Sequence, residues 1–198
     1  MNLRYYKVKY FVSVVLCIAA LCTWLADIGI PDQVMKYLSP AFIVSGFLLG
    51  YDKWFWKWPI CSFLMAVPNV SGIYTGSIKF VYKGKRCTKD CKMVIRQSSM
   101  RIDVETSFTG NNKNEPSTSS NSIFASIIKD ECKGKIKLIF FYENQGSNLA
   151  GDTLSQHFGT NVLDIKISKN SVDLEGYYFT NRKPKQTMGK IFVSRKKA

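Results

Sequence analysis

Gln97, Tyr142, Asn144, Tyr178, Thr180 and Arg182 keep the spacing of a hydrophobic face although each carries a polar group. Each follows apolar or aromatic residues at two-residue steps, as in Ile136, Leu138, Phe140, Tyr142, Asn144 and in Leu174, Gly176, Tyr178, Thr180, Arg182. A period of two places alternate residues on one side of a strand. These groups, with Tyr74 in the first such segment, are therefore expected to point inward near strand ends. A buried polar group must find a partner, and a charged one more so. Either these side chains bond one another or reach water beyond the sheet, or they line a polar pocket at one end. In the pocket, Arg182 meets phosphate and the tyrosines stack on bases.

Bond-making chemistry has no such support. The chain shows no Gly-rich phosphate loop, no nucleophile beside a base and no carboxylate pair at a useful spacing. Asp103 and Glu105, like Asp173 and Glu175, fall opposite the apolar face, where they form a solvated exterior. Binding is expected, with no catalytic residue, cofactor or metal. Cys87, Cys91 and Cys132 with His157 have irregular spacing for a zinc site. Together with Cys17, Cys22 and Cys61 they read as reduced thiols, since a domain this long needs no disulfide framework.

The elements that position these residues are short strands. Val70 to Phe80 alternates, as do Met93, Ile95, Gln97 and then Ile102, Val104, Thr106. Ser122–Ile128 is weaker, Ile136–Asn144 strong, and Leu163–Ile167, Leu174–Arg182 and Ile191–Val193 complete the set. Residues 109–122 and 145–155 read as loops. About eight strands at hairpin spacing, without helical periodicity between them, predict a compact antiparallel up-and-down barrel of the lipocalin-like kind. Such a barrel holds side chains or one small ligand.

Ahead of the strands lie two uncharged apolar runs. Phe11–Ala26 ends before Gly29 and Pro31, a stop signal. The second run, Ala41–Tyr51, starts with Ser39 as N-cap and Pro40 at the first helical position. Trp54, Phe55, Trp56 and Trp58 then form an interfacial belt. Two transmembrane helices are expected in residues 1–67 and the β-domain in 68–198. Gly46 and Gly50 are the expected helix-contact residues. A cleaved signal peptide fits poorly, because Trp24-Leu25-Ala26 puts a large residue at the −3 position.

Residues 1–68 hold six Lys/Arg and three Asp/Glu, net +3; residues 69–198 hold 22 and 11, net +11. A domain this basic calls for an anionic partner. Arg4, Lys7 and Lys9 precede the first run and Lys53 and Lys57 follow the second, while the hairpin offers Lys36. The bias of basic residues toward the cytoplasm puts both termini and the β-domain there.

Some stretches carry a resemblance. Two apolar helices lead into Pro68-Asn69-Val70-Ser71-Gly72-Ile73-Tyr74-Thr75-Gly76, followed by Val94-Ile95-Arg96-Gln97, Tyr142-Glu143-Asn144, His157-Phe158-Gly159 and Leu174-Glu175-Gly176-Tyr177-Tyr178-Phe179-Thr180-Asn181-Arg182. Over nearly its whole length the chain resembles the two-transmembrane, β-strand-rich effectors of cyclic-oligonucleotide-based antiphage signalling (CBASS). The resemblance implies a barrel that binds a cyclic di- or oligonucleotide made by a partner nucleotidyltransferase. It also implies homo-oligomerisation on binding and disruption of the bacterial inner membrane, ending in death or arrest of the infected cell. The segment Arg182–Gly189 departs from the family's ending by an apparent insertion. Two other readings stand beside this one: a tethered carrier of a lipid or small apolar ligand, which needs an apolar cavity, and an anchored nucleic-acid-binding module, which needs outward aromatics among lysines. DNA or RNA is not the expected partner, because no surface motif of the RRM or cold-shock type is visible.

Overall fold

The computed structural model describes residues 5–27, 39–82, 84–109, 118–130, 134–146, 156–181 and 186–196. The chain forms two compact units, residues 1–69 with 98–100, and residues 70–97 with 101–198.

The first unit is helical. Helix α1 spans Val8–Asp27, α2 spans Pro40–Lys53, and a 3-10 turn at Phe55–Lys57 leads to the short α3, Pro59–Ser62. Ser39 caps α2 as expected: its Oγ accepts from the Phe42 N–H at 3.3 Å, and Pro40 stands at the first helical position. An aromatic cluster joins α1 to α2, with ring centroids 4.4 Å apart for Tyr6–Phe11 and 5.8 Å for both Phe11–Tyr51 and Phe47–Tyr51. The Tyr51 hydroxyl donates to the Cys61 carbonyl at 3.0 Å, drawing the aromatic turn back onto α2. Asp52 accepts from Ser99 Oγ at 2.8 Å and from the Met100 N–H at 3.1 Å, and Ser99 Oγ lies 2.6 Å from the Tyr6 hydroxyl.

Among the described residues α1 is the helix long and apolar enough to cross a membrane. The second apolar run is helical as expected, but its 14 residues extend only about 21 Å at 1.5 Å per residue, short of a ~30 Å hydrocarbon core. Among the described residues, one helix is therefore of spanning length where the sequence suggests two.

The second unit is a closed barrel of eight antiparallel strands in sequence order: β1 Gly72–Tyr82, β2 Lys85–Gln97, β3 Ile102–Thr109, β4 Thr118–Lys129, β5 Ile136–Asn144, β6 His157–Ile167, β7 Ser171–Thr180 and β8 Met188–Lys196. Strand β8 closes on β1 through pairs such as Ile78↔Ile191 and Gly76↔Val193. The inward set is the one the alternation selects. Tyr74, Met93, Leu138, Phe140, Leu163, Leu174 and Val193 are fully buried, and each large apolar side chain so placed contributes about 1.5–3 kcal/mol. Gly76 and Gly176 let neighbouring strands close in, since a Cβ at either would lie 2.0 Å from the carbonyl oxygen of Phe192 or Val162.

Strand β4 departs from the expected pattern. It begins at Thr118, inside the stretch that reads as loop, and a bulge between Ser122 and Phe124 shifts its register. Ile123 and Phe124 are both exposed as a result, and the break hides the strand's period.

Candidate functional site

An up-and-down barrel has two ends. The chain enters β1 at the proximal end, which also carries the β2–β3, β4–β5 and β6–β7 connections. The β1–β2, β3–β4, β5–β6 and β7–β8 connections lie at the distal end. This rule sorts the expected site residues.

Tyr142 and Asn144 end β5, and Tyr178 and Thr180 end β7, so all four meet at the distal end. There they line a recess of about 110 Å³ with Ile78, Phe80, Lys89, Phe108, Thr118, His157, Asn161, Thr187 and Ile191. Nine of these thirteen residues carry a side-chain nitrogen or oxygen, set in a lining surface that is mostly apolar, so the recess is suited to a flat guest with polar edges. Its volume is below the roughly 300–1,000 Å³ of a pocket that buries a whole drug-sized ligand, so the guest is held by a part.

Glycines set the tyrosines. Gly159 pairs with Tyr142, and Gly189 with Tyr178. A Cβ at Gly159 would come 2.4 Å from the Tyr142 ring, and one at Gly189 would come 2.5 Å from the Tyr178 ring. Each ring thus lies against bare backbone, an aromatic filling the space a glycine leaves. Burial, with Tyr178 adding to it, raises the Tyr142 phenol well above its ordinary pKa, so the hydroxyl stays protonated.

The rest of the distal rim is tied down by hydrogen bonds. Asn144 Oδ1 accepts from the Gly146 N–H at 2.9 Å. Thr180 Oγ1 lies 2.8 Å from Thr187 Oγ1, and the Thr180 N–H donates to the Thr187 carbonyl at 3.0 Å. Asn181 Oδ1 accepts from the Phe158 N–H at 2.9 Å. Arg182 follows Asn181 directly in the chain and lies outside the described residues.

Tyr74 and Gln97 stand at the other end. Gln97 Oε1 accepts from the Val70 N–H at 2.8 Å, and the Tyr74 hydroxyl donates to the Val70 carbonyl at 2.8 Å. The Arg195 guanidinium packs 5.5 Å from the Tyr74 ring centre. These two residues fasten the first strand where the chain enters, and they are not brought together with the distal four. The expected helix-contact glycines also differ. A Cβ at Gly50 would meet the Phe55 ring at 2.9 Å, whereas nothing lies within 4 Å of one at Gly46.

Lys89, Asn161 and Thr187 enter the recess without having been singled out in the sequence. Asn161 is reached by extending the Leu163–Ile165 alternation one step back, and Gly159 by two steps. Lys89 faces inward from the first half of β2, where Lys85–Lys92 is too charged to show an apolar period.

A closed barrel with a recess at one end, walled by aromatic and polar side chains, is an architecture that can hold part of a small ligand. Residues 65–195 match the family described as Cap15, cyclic dinucleotide receptor domain. The chain is 26% identical over 106 residues to CD-NTase-associated protein 15 of Staphylococcus schleiferi, and that match spans 53% of each protein, about half the relative's length. The protein belongs to the Cap15 cyclic dinucleotide receptor family, and so to the CBASS effectors its sequence resembles.

Proposed function

We propose that the protein is a membrane-anchored receptor of antiphage defence that binds a cyclic dinucleotide at the distal end of its barrel. The observation that carries this reading is the recess itself, in which Tyr142, Tyr178, Asn144 and Asn161 converge beside Lys89 and His157. Two tyrosine faces suit bases, amides suit base edges, and the Lys89 ammonium suits a phosphate. Arg182, next to this rim in sequence, is the proposed phosphate contact. The ligand is the product of a partner nucleotidyltransferase.

The lipid-carrier reading calls for a cavity large enough for a lipid, and a recess of about 110 Å³ is too small for one. Helix α1 exposes Val12, Leu16, Leu21 and Trp24, an apolar surface that a bilayer covers. Helix α2 dips into the same bilayer beside it, with the exposed Trp54 and Trp58 at the interface. Both termini and the barrel lie in the cytoplasm. Ligand binding drives self-assembly, and the assembled helices breach the inner membrane.

Calorimetry on the full chain in detergent micelles tests the binding step. Tyr142→Ala and Tyr178→Ala should each weaken cyclic-dinucleotide binding by about 1–3 kcal/mol through lost stacking, and Arg182→Ala by about 1.5–3 kcal/mol. Unchanged affinity in all three, with folding intact by circular dichroism, would remove the distal recess from consideration.

A further inference from the structure

Asn161 lies in the wall of the recess with 2% of its surface exposed, yet its Oδ1 has no hydrogen-bond partner among the described residues. Unsatisfied buried polar atoms are few in native proteins. Thr106 Oγ1 is another such atom in the barrel, but Thr106 is not among the residues that line the recess. Asn161 lines the recess, so a small shift of its side chain would let a guest seated there supply the missing donor.

Its neighbours say what kind of donor. Asn161 is on β6, directly paired with Tyr178 on β7, and on the other side it pairs with Phe140, two residues before Tyr142 on β5. A group reaching Asn161 comes beside Tyr178, with Tyr142 in the same lining. The recess holds about 110 Å³, and a cavity of roughly 150 Å³ is enough for a benzene ring. The recess is smaller than that, so it admits at most the leading edge of one six-membered ring and never two bases. The six-membered ring of every nucleobase carries the Watson–Crick edge, and that edge has an N–H in each case.

We infer that a single base of the cyclic dinucleotide enters the recess edge-first alongside Tyr142 and Tyr178, and that its Watson–Crick N–H donates to Asn161 Oδ1. This rests on the proposed function. It adds that recognition is one-sided: the wall reads one base, and the sugar–phosphate ring with the second base stays at the mouth by Lys89 and His157.

The test uses the full chain in detergent micelles and a panel of cyclic dinucleotides covering the four bases. The tightest binder is compared with its analogue methylated to remove the Watson–Crick N–H on both bases. Leaving a buried acceptor unpaired should weaken binding about 5- to 150-fold. Asn161→Leu should weaken the parent compound by a similar factor and erase the difference between parent and methylated analogue. Its melting temperature should be no lower than wild type, because an apolar side chain of similar size relieves an orphaned buried oxygen. If the parent binds and methylation changes nothing, this inference fails while the receptor reading stands. If Asn161→Leu melts well below wild type, the amide is a structural group and the inference also fails. If no member of the panel binds, both readings fall together.

Discussion

At the scale of single residues, the recess depends on what is missing as much as on what is present. Gly159 is fixed by the Tyr142 ring on one side and by the Phe179 carbonyl, 2.6 Å from where a Cβ would stand. Gly159→Ala should push the ring into the recess, costing about 1–3 kcal/mol of stability by overpacking and weakening ligand binding as well. Gly84, with φ of 76° and open space around it, is the control: Gly84→Ala should cost only about 1 kcal/mol from backbone strain and spare binding. Denaturant midpoints and calorimetry on both variants check the contrast. The sequence made Tyr142, Asn144, Tyr178 and Thr180 legible because a period of two reports which face a side chain occupies. It does not report which end of the barrel. Strand direction does that, and in a meander Tyr74 at the start of β1 and Gln97 at the end of β2 share the end opposite to Asn144 and Thr180. Asn161 is hidden because the apolar alternation that marks its strand starts only at Leu163.

At the scale of elements, the legible ones were those whose period is unbroken. Strands β1, β5 and β7 keep strict alternation, and α2 has its Ser-Pro start, so each was readable. The first half of β2 is charged, and β4 is split by its bulge, so their extents were not. The helical unit has one element no periodicity announces, the Ser98–Met100 segment between β2 and β3. Asp52 at the end of α2 gathers it by accepting from Ser99 Oγ and the Met100 N–H, and Ser99 is fully buried. Asp52→Ala would leave both donors without this acceptor, at about 1–3 kcal/mol. Hydrogen exchange should show it most directly: the Met100 amide should exchange faster in the variant, while amides in the middle of β5 and β6 keep wild-type protection. Equal protection of Met100 in both proteins would mean that the segment is held by other contacts.

At the scale of the whole molecule, two properties follow from the closed barrel and its apolar leader. The barrel core buries acids in their neutral forms, with burial pushing the Cys91 thiol up to about 12 and raising the Tyr142 phenol. Folding therefore favours the protonated forms, and this contribution is complete below the ordinary thiol pKa of 9.0. Above that, the unfolded chain releases the Cys91 proton first, so stability falls toward pH 12 by up to ~1.4 kcal/mol per pH unit for each such group. Urea midpoints should drop from pH 8 to pH 11, and Cys91→Ala should flatten the part of that slope beginning near pH 9. The second property concerns the bilayer. A lone helix of α1's length can cross a membrane but cannot enclose a pore, so the proposed breach requires several copies held together. The barrel supplies the switch in this scheme, because constant assembly would kill the cell it protects. Gly46, with open space where a Cβ would stand, is the proposed point at which another helix approaches α2 closely. Dye-reported membrane potential in cells making the full chain should collapse only when the cyclic dinucleotide is supplied, and more steeply than in proportion to protein level. Gly46→Leu should blunt the collapse while calorimetry shows unchanged ligand affinity. Collapse without ligand, or in simple proportion to protein level, would mean that the helices act singly and that the barrel does not gate them.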